Sequence, residues 1–256
     1  MKELGIECPV NLRFCFEGME EVDSSGLDDL IFKVRNDFFA TGVDGTCISD
    51  NYWLGTEKPC LTYGLRGIAC FSLTVECSNS DLHSGIFGGT VREAMTDLIQ
   101  IMGSLVDGDG TITIDGINDQ VDPVTQTEMD TYKPIDFDTQ EFKNTHGVNL
   151  LHESKERTLQ GRWRFPSLSL HGIEGAFAEP GEKTVIPRRV IGKFSIRLVP
   201  SMTGEAVKEC VEKHVEMMRL KLKTPNKVWL TASSLDKPWF GAPDGFLYRK
   251  CKIVKT

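Results

Sequence analysis

Long hydrophobic runs, blocks of basic residues and closely spaced cysteine pairs are all missing from this 256-residue chain. Its longest apolar runs fall far short of the ~20 residues that a membrane-spanning helix needs. A net charge of -8 with dispersed basic residues disfavours nucleic-acid binding. The first residues also lack the basic and then apolar pattern of a signal peptide. We therefore expect a globular protein with no nucleic-acid and no membrane partner.

The eight cysteines are spaced in a way that disfavours two common motifs. None of them forms a CxxC pair, so neither a zinc ribbon nor a thioredoxin-type redox centre is expected. Several occupy apolar positions of predicted strands, where a reduced cysteine packs as a small hydrophobe. In the absence of an export signal, this pattern predicts free thiols and a cytoplasmic protein.

The first fifty residues alternate between apolar runs and a helical pattern. Residues 10–16 predict a buried strand, residues 26–39 a helix, and residues 46–49 a second short strand. This alternation is typical of an α/β arrangement with parallel strands. Ligands of such sheets gather at the carboxyl ends of the strands.

Three carboxylates follow those predicted strand ends. Glu20 and Glu21 are adjacent to each other after the first run, and Asp50 comes directly after the second. A strand that ends in two adjacent carboxylates can aim one at a metal and leave the other free as a base, which metal-assisted hydrolysis requires. From the local pattern alone, two solvated acids on a surface turn are the favoured interpretation.

A different pattern begins at Gly64, where strands with one apolar face replace the buried runs. The predicted order is strand, helix, strand, strand, helix, strand, which indicates a two-layer α+β unit with both helices on one sheet face. The segments are 71–77, 91–105, 166–171, 190–199, 204–222 and 227–232, with a polar insertion over 111–165. The fold class predicted for the whole chain is therefore α/β plus α+β.

Several motifs, in this order, resemble the carnosinase and cytosolic non-specific dipeptidase family of two-metal metallopeptidases. The resemblance covers about residues 5 to 239. The motifs that carry it are CFEGMEE at 15–21, ISDNYW at 48–53, DLHSG at 81–85, SLSLHGIEG at 167–175, KTVIP at 183–187 and FSIRLVP at 194–200.

The resemblance implies a dimeric metallopeptidase with two divalent metal ions, manganese or zinc, that hydrolyses dipeptides through a metal-activated water. It divides the chain into three parts. Residues 1–63 are expected to be part of a catalytic α/β domain, and residues 64–237 a lid and dimerisation domain. Residues 238–256 are expected to be a truncated or divergent return to the catalytic domain.

The resemblance also assigns roles to the acidic residues near the start. Glu20 matches the general base of the family, Glu21 a carboxylate ligand of one metal, and Asp50 a ligand of the second metal. The family site further needs an early histidine, a bridging aspartate and a late histidine, which this sequence does not contain. We therefore expect the isolated chain to bind metal weakly.

Three residues of the second part match contacts to substrate. His83 resembles the catalytic lid histidine that reaches across the dimer and stabilises an oxyanion, Thr184 a substrate contact, and Arg197 a clamp on the terminal carboxylate. A solvated loop histidine, a loop hydroxyl and a surface salt bridge are the respective alternatives. His171 and His214 are expected to have structural roles.

Two functions stay open at this point. The chain is either a metal-dependent dipeptidase, or a catalytically inactive partial copy that pairs through its lid domain with a full-length dipeptidase. The first predicts a homodimer acting on a dipeptide, and the second a heterodimer.

Overall fold

The structure is a computed structural model that describes residues 5, 7, 9–22, 24–48, 50, 54 and 58–253. The chain divides into two compact units, Met1–Asp50 and Asn51–Thr256. Across the described residues, no helix combines the length and the apolar character that crossing a membrane requires.

One α-helix, α1 (Leu27–Val34), organises the described part of the first unit. Gly26 precedes it in a left-handed conformation, with φ of 90°. Asp28 and Asp29 lie in its first turn and Lys33 in its last, an order that suits the helix dipole. The predicted helix is confirmed but ends earlier, because residues 35–40 form turns. None of its side chains is buried.

The strand predicted over residues 10–16 is wrong. The segment forms no strand, and its apolar side chains are exposed, from 60% at Val10 to 91% at Phe16. A strand is stable only when neighbouring strands satisfy its backbone and bury one of its faces. Residues 46–48 form no strand either, and Ser49 lies outside the described residues. The expected parallel sheet is therefore not formed by the described residues of this unit.

The second unit contains the strands β1 to β8 and the helices α2 to α8. The strands are β1 (Gly64–Leu65), β2 (Gly67–Glu76), β3 (Leu82–His83), β4 (Ser167–Glu174), β5 (Val185–Ile186), β6 (Arg189–Leu198), β7 (Lys227–Asp236) and β8 (Trp239–Phe240). The helices are α2 (Ser84–Phe87), α3 (Ala94–Met102), α4 (Gln126–Tyr132), α5 (Thr139–His146), α6 (Lys155–Trp163), α7 (Gly204–Leu222) and α8 (Phe246–Ile253).

The main sheet has four antiparallel strands in the order β4-β6-β2-β7. Alternate residues of its two central strands form one buried face, on which Phe71 stacks against Phe194 with ring centroids 5.2 Å apart. Helices α3 and α7 pack against this sheet. The predicted two-layer unit, with both helices on one face, is thereby confirmed.

Helix α7 shows how the sequence specifies this packing. Its N-cap Thr203 accepts a hydrogen bond from the Ala206 backbone N–H at 3.2 Å, which satisfies one of the free donors of the first turn. Val207, Val211 and Val215 are buried at a spacing of four residues. The helix therefore presents one continuous apolar stripe to the sheet.

The opposite face of the main sheet carries polar side chains. Ser195 and Arg197 project there from β6, between the buried Phe194, Ile196 and Leu198 of the other face. Two short antiparallel pairs, β1 with β8 and β3 with β5, lie outside the main sheet. These elements position the candidate site residues of the second unit.

Candidate functional site

Glu20 and Glu21 begin a short 3-10 helix that ends at Val22. The Ser24 backbone N–H closes this turn on the Met19 carbonyl at 3.0 Å. Both glutamate side chains are exposed. The turn therefore presents two adjacent carboxylates to solvent.

Asp50 is exposed at the end of the first unit, and residues 51–53 of its motif lie outside the described residues. Carboxylates are suitable ligands for hard divalent metals. A catalytic metal nevertheless needs about three protein ligands. In the described part of the chain, no three His, Cys, Asp or Glu side chains converge in this way. Glu21 and Asp50 are thus chemically suitable donors that do not by themselves make a metal centre.

His83 and Thr184 lie next to each other in the second unit. Strand β3 pairs with β5 so that His83 is opposite Val185, and the Ser84 backbone N–H donates to the Thr184 carbonyl at 3.0 Å. The Asp81 carboxylate fixes the same loop, because it accepts a hydrogen bond from the Arg188 backbone N–H at 3.0 Å. The structure brings these two predicted site residues together.

The backbone sets the chemical role that His83 can take. Its Nδ1 accepts a hydrogen bond from the Gly85 backbone N–H at 3.0 Å. The neutral ring must therefore carry its proton on Nε2, which leaves a hydrogen-bond donor on the exposed side chain. A donor of this kind can stabilise a negative oxygen that develops during acyl transfer.

Gly85 supports the candidate site at His83, and the sequence interpretation missed it. A Cβ on Gly85 would lie 2.9 Å from His83 Cε1 and 3.1 Å from its Nδ1. Only glycine therefore lets the backbone approach the ring closely enough for this hydrogen bond. The signal in the sequence is a glycine two residues after the histidine.

Arg197 is exposed on the polar face of the main sheet, where the register places it between Ile68 of β2 and Ser167 of β4. Among the described residues it forms no salt bridge. The alternative of an ordinary surface ion pair therefore has no partner there. Two residues earlier on the same strand, Ser195 is hydrogen-bonded to His171 at 2.8 Å, the structural role predicted for that histidine.

Arg197 and the His83 and Thr184 pair are far apart within one chain. Thr184 precedes the Arg189 end of β6, whereas Arg197 lies eight residues further along that strand. At about 3.3 Å per residue, the strand separates Arg197 from Arg189 by about 26 Å. The His83 loop is held at the Arg189 end, where Asp81 accepts the hydrogen bond from the Arg188 backbone N–H. An extended dipeptide is about 7 Å long, so it cannot contact both sets in one chain.

A second arginine beside Arg197 was also missed from the sequence. Burial, followed by the charges of Arg197 and Arg162, lowers the pKa of Arg66 to about 10. Arg66 directly precedes β2. Its guanidinium donates hydrogen bonds to the Gly161 carbonyl in α6, to the Phe165 carbonyl and to the Ser167 hydroxyl. No local pattern reveals it, because those partners are about a hundred residues away.

A family profile described as "Peptidase dimerisation domain" matches residues 63–219. The Cys-Gly metallodipeptidase dug1 of Schizosaccharomyces pombe is 52% identical over 248 residues, which is 96% of this chain and 52% of that protein. The human Beta-Ala-His dipeptidase is 47% identical over 247 residues, covering 96% of this chain and 48% of that protein. The chain spans about half the length of the curated relatives it matches.

Two solved structures of dipeptidases are also similar to this chain. The structure of the dipeptidase Dug1p from Saccharomyces cerevisiae matches with a TM-score of 0.89 and 49% identity, over 98% of this chain and 53% of that chain. Human carnosine dipeptidase 1 matches with a TM-score of 0.90 and 47% identity, with the same coverage of both chains. The chain belongs to the M20 peptidase family, and it contains that family's peptidase dimerisation domain.

Proposed function

We propose that this chain forms part of a metal-dependent dipeptidase. The observation that carries the proposal is the identity of about half of its residues, over almost its whole length, to proteins named as a Cys-Gly metallodipeptidase and a Beta-Ala-His dipeptidase. The proposed substrates are accordingly dipeptides with a free terminal carboxylate. The metal is proposed to be manganese or zinc, with Glu21 and Asp50 as one ligand each.

The remaining site residues receive roles that their chemistry supports. Glu20 is proposed as the general base that removes a proton from the attacking water, because it is next to a ligand and its own carboxylate is free. His83 offers its Nε2–H to the oxyanion, and Thr184 beside it contacts the substrate. Arg197 binds the terminal carboxylate through its two-pronged guanidinium.

The distance between these groups supports a dimer. A dipeptide bound at Arg197 cannot reach the His83 and Thr184 of the same chain, because these lie beyond the Arg189 end of β6 and about 26 Å of strand separates Arg189 from Arg197. We infer that Arg197 of one copy and His83 with Thr184 of another act on one substrate. The matched dimerisation domain provides the interface for such a pair.

The proposed domain division follows the same scheme. Residues 1–63 contribute to the catalytic domain, residues 64–237 form the lid and dimerisation domain, and residues 238–256 return toward the catalytic domain. A cytoplasmic location is proposed from the thiols, because the six cysteines whose side chains the structure describes are free.

The alternative proposal is an inactive partner. Among the residues that the structure describes, no group of three potential ligands is present. A chain with two donors alone would bind metal too weakly for catalysis, and it would act as an inactive partner that pairs with a complete dipeptidase.

Hydrolysis of Cys-Gly by the purified chain in the presence of Mn²⁺ or Zn²⁺ tests the proposal. Because a positioned general base contributes about 10²- to 10⁴-fold, Glu20→Gln should lower kcat by that factor. Glu17→Gln is the matched control, since Glu17 is an exposed acid three residues away with no assigned role. Turnover that survives Glu20→Gln would refute the assignment of the base. No turnover by the chain alone, with binding to a co-expressed complete relative, would favour the inactive partner.

A further inference from the structure

Arg66 reaches across the sheet toward the position of Arg197. Its Nη1 donates hydrogen bonds to the Gly161 carbonyl at 3.3 Å, the Phe165 carbonyl at 3.2 Å and the Ser167 hydroxyl at 3.0 Å. Arg66 directly precedes β2, whereas Ser167 begins β4, and β6 lies between these two strands. The half-buried guanidinium therefore crosses over the strand that carries Arg197.

The register places Arg66 and Arg197 on the same face. Arg197 is opposite Ile68 on one side and opposite Ser167 on the other. Arg66 is two residues before Ile68, and side chains two apart on a strand project to the same face. Arg66 is thus a diagonal neighbour of Arg197, and it is hydrogen-bonded to the residue on the far side of Arg197.

These two cations have no counter-charge among the described residues. Neither Arg66 nor Arg197 takes part in an ion pair there. The register places the acid Asp236 of β7 opposite Ile68, on the side away from Arg197. Burial first, and then the positive charges of Arg197 and Arg162, lower the pKa of Arg66, as expected where like charges lie close together. A bound anion would relieve the repulsion between these charges.

We propose that Arg66 is a positioning residue for the carboxylate site at Arg197. Held over the central strand by three hydrogen bonds, it supplies a second positive charge and fixes the direction from which Arg197 meets the terminal carboxylate of a dipeptide. The inference rests on the proposed function, because it takes the ligand of Arg197 to be that carboxylate. Arg66 itself is proposed to act through Arg197 and through the local field.

Carboxylate binding can be measured without metal and without turnover. The probes are Gly-Gly, which has a free terminal carboxylate, and glycylglycine amide, which lacks it. Titration of the ¹⁵N-labelled full chain reports binding through the arginine Nε–Hε signals. Hydrolysis of Cys-Gly is followed in parallel, so that a failure of the proposed function is seen separately.

Three variants distinguish the effect of the Arg66 charge from the effect of its hydrogen bonds. Arg66→Gln removes the charge but keeps an amide donor, and it should weaken Gly-Gly binding about 5- to 10-fold. Arg66→Lys keeps the charge and should weaken binding only about 2- to 3-fold. Lys193→Gln is the matched control, because Lys193 is an exposed cation on the same face of β6 that is paired with Glu174 at 3.0 Å. It should leave the affinity unchanged.

The expected result is binding of Gly-Gly but not of the amide, with the affinity order wild type, Arg66→Lys, Arg66→Gln. Equal losses in both Arg66 variants, together with equal drops in unfolding temperature, would show that Arg66 only connects the strands, and would overturn the inference. Wild-type protein that binds the amide as well as Gly-Gly would overturn it too, whatever hydrolysis shows.

Discussion

Asp97 is the most informative residue to replace for the stability of the second unit. It lies on α3 with no solvent exposure, and its carboxylate accepts hydrogen bonds from Arg92 Nε at 2.5 Å, from Asn226 Nδ2 at 2.7 Å and from the Thr224 hydroxyl. Arg92 Nη2 is 2.5 Å from the same carboxylate oxygen without hydrogen-bond geometry, so it contributes attraction alone. One carboxylate therefore connects the start of α3 to the turn between α7 and β7.

Asp97→Ala should remove all of these bonds at once. Breaking a buried ion pair costs about 3–5 kcal/mol, because the partner stays behind unpaired. The Arg92 side chain is 34% exposed and regains some water, which reduces the expected loss to about 2–3 kcal/mol. In a domain of this size, that corresponds to a fall of about 5–10 °C in the unfolding temperature. Asp97→Asn keeps the volume and one acceptor, so it should lose about half as much.

Thermal unfolding and native-state hydrogen exchange together provide the assay. Exchange of the amides in β2 and β7 reports the second unit by itself, which circular dichroism of the whole chain cannot do. Glu216→Gln is the control, because Glu216 forms an exposed pair with Arg219 at 2.7 Å and should not change the unfolding temperature measurably. If Asp97→Ala behaved like Glu216→Gln, the buried network would not stabilise the fold and the argument would fail.

Two further predictions concern the packing of the second unit. Gly192→Ala should destabilise the protein by about 1–3 kcal/mol in urea unfolding, because the added Cβ would lie 2.1 Å from Met102 Sδ. Gly161→Ala should instead stabilise it by about 0.5–1 kcal/mol, because the space around this position of α6 is open and alanine favours a helix. Burial lowers the pKa of His214, whose Nε2 is hydrogen-bonded to Ser104 at 2.9 Å. As the pH falls, His214 is protonated in the unfolded chain before it is protonated in the folded protein. Its contribution to the free energy of unfolding should therefore be constant above about pH 7 and decrease as the pH drops through 6.5 toward the folded pKa. His214→Gln should remove that part of the slope between pH 7.5 and 5.5, and an unchanged slope would contradict the assignment.

Periodic patterns predicted the second unit well. Helix α7 begins at Gly204 and ends at Leu222, as its apolar spacing predicts, and β6 differs by one residue at each end from the predicted 190–199. Both elements carry one apolar face, which a single helix or strand period reveals. His214 was also placed correctly at the edge of the core, where it is buried beside Ser104.

Contacts between distant parts of the chain could not be predicted in this way. Asp97 does not disturb the apolar spacing of α3, so the sequence does not indicate that it is buried. Its hydrogen-bond partner Thr224 is 127 positions away. Arg66 likewise depends on Ser167, 101 positions away. The strand predicted over residues 10–16 failed for a related reason. The run is apolar, but the described residues of the first unit provide no neighbouring strand to pair with it.

The fold gives the distances between the proposed substrate contacts, which the motifs alone do not contain. The sequence presents His83, Thr184 and Arg197 as equivalent candidates for one site, since motifs carry no distances. The sheet separates them into two groups at opposite ends of β6, one offering a donor for an oxyanion and the other an arginine pair for a carboxylate. In the proposed function these groups meet the two ends of one substrate, because a dipeptide has its scissile carbonyl and its terminal carboxylate only about one residue apart. The proposed dipeptidase therefore requires the two groups to come from different copies, and a function of one isolated copy would leave one of the groups without a role.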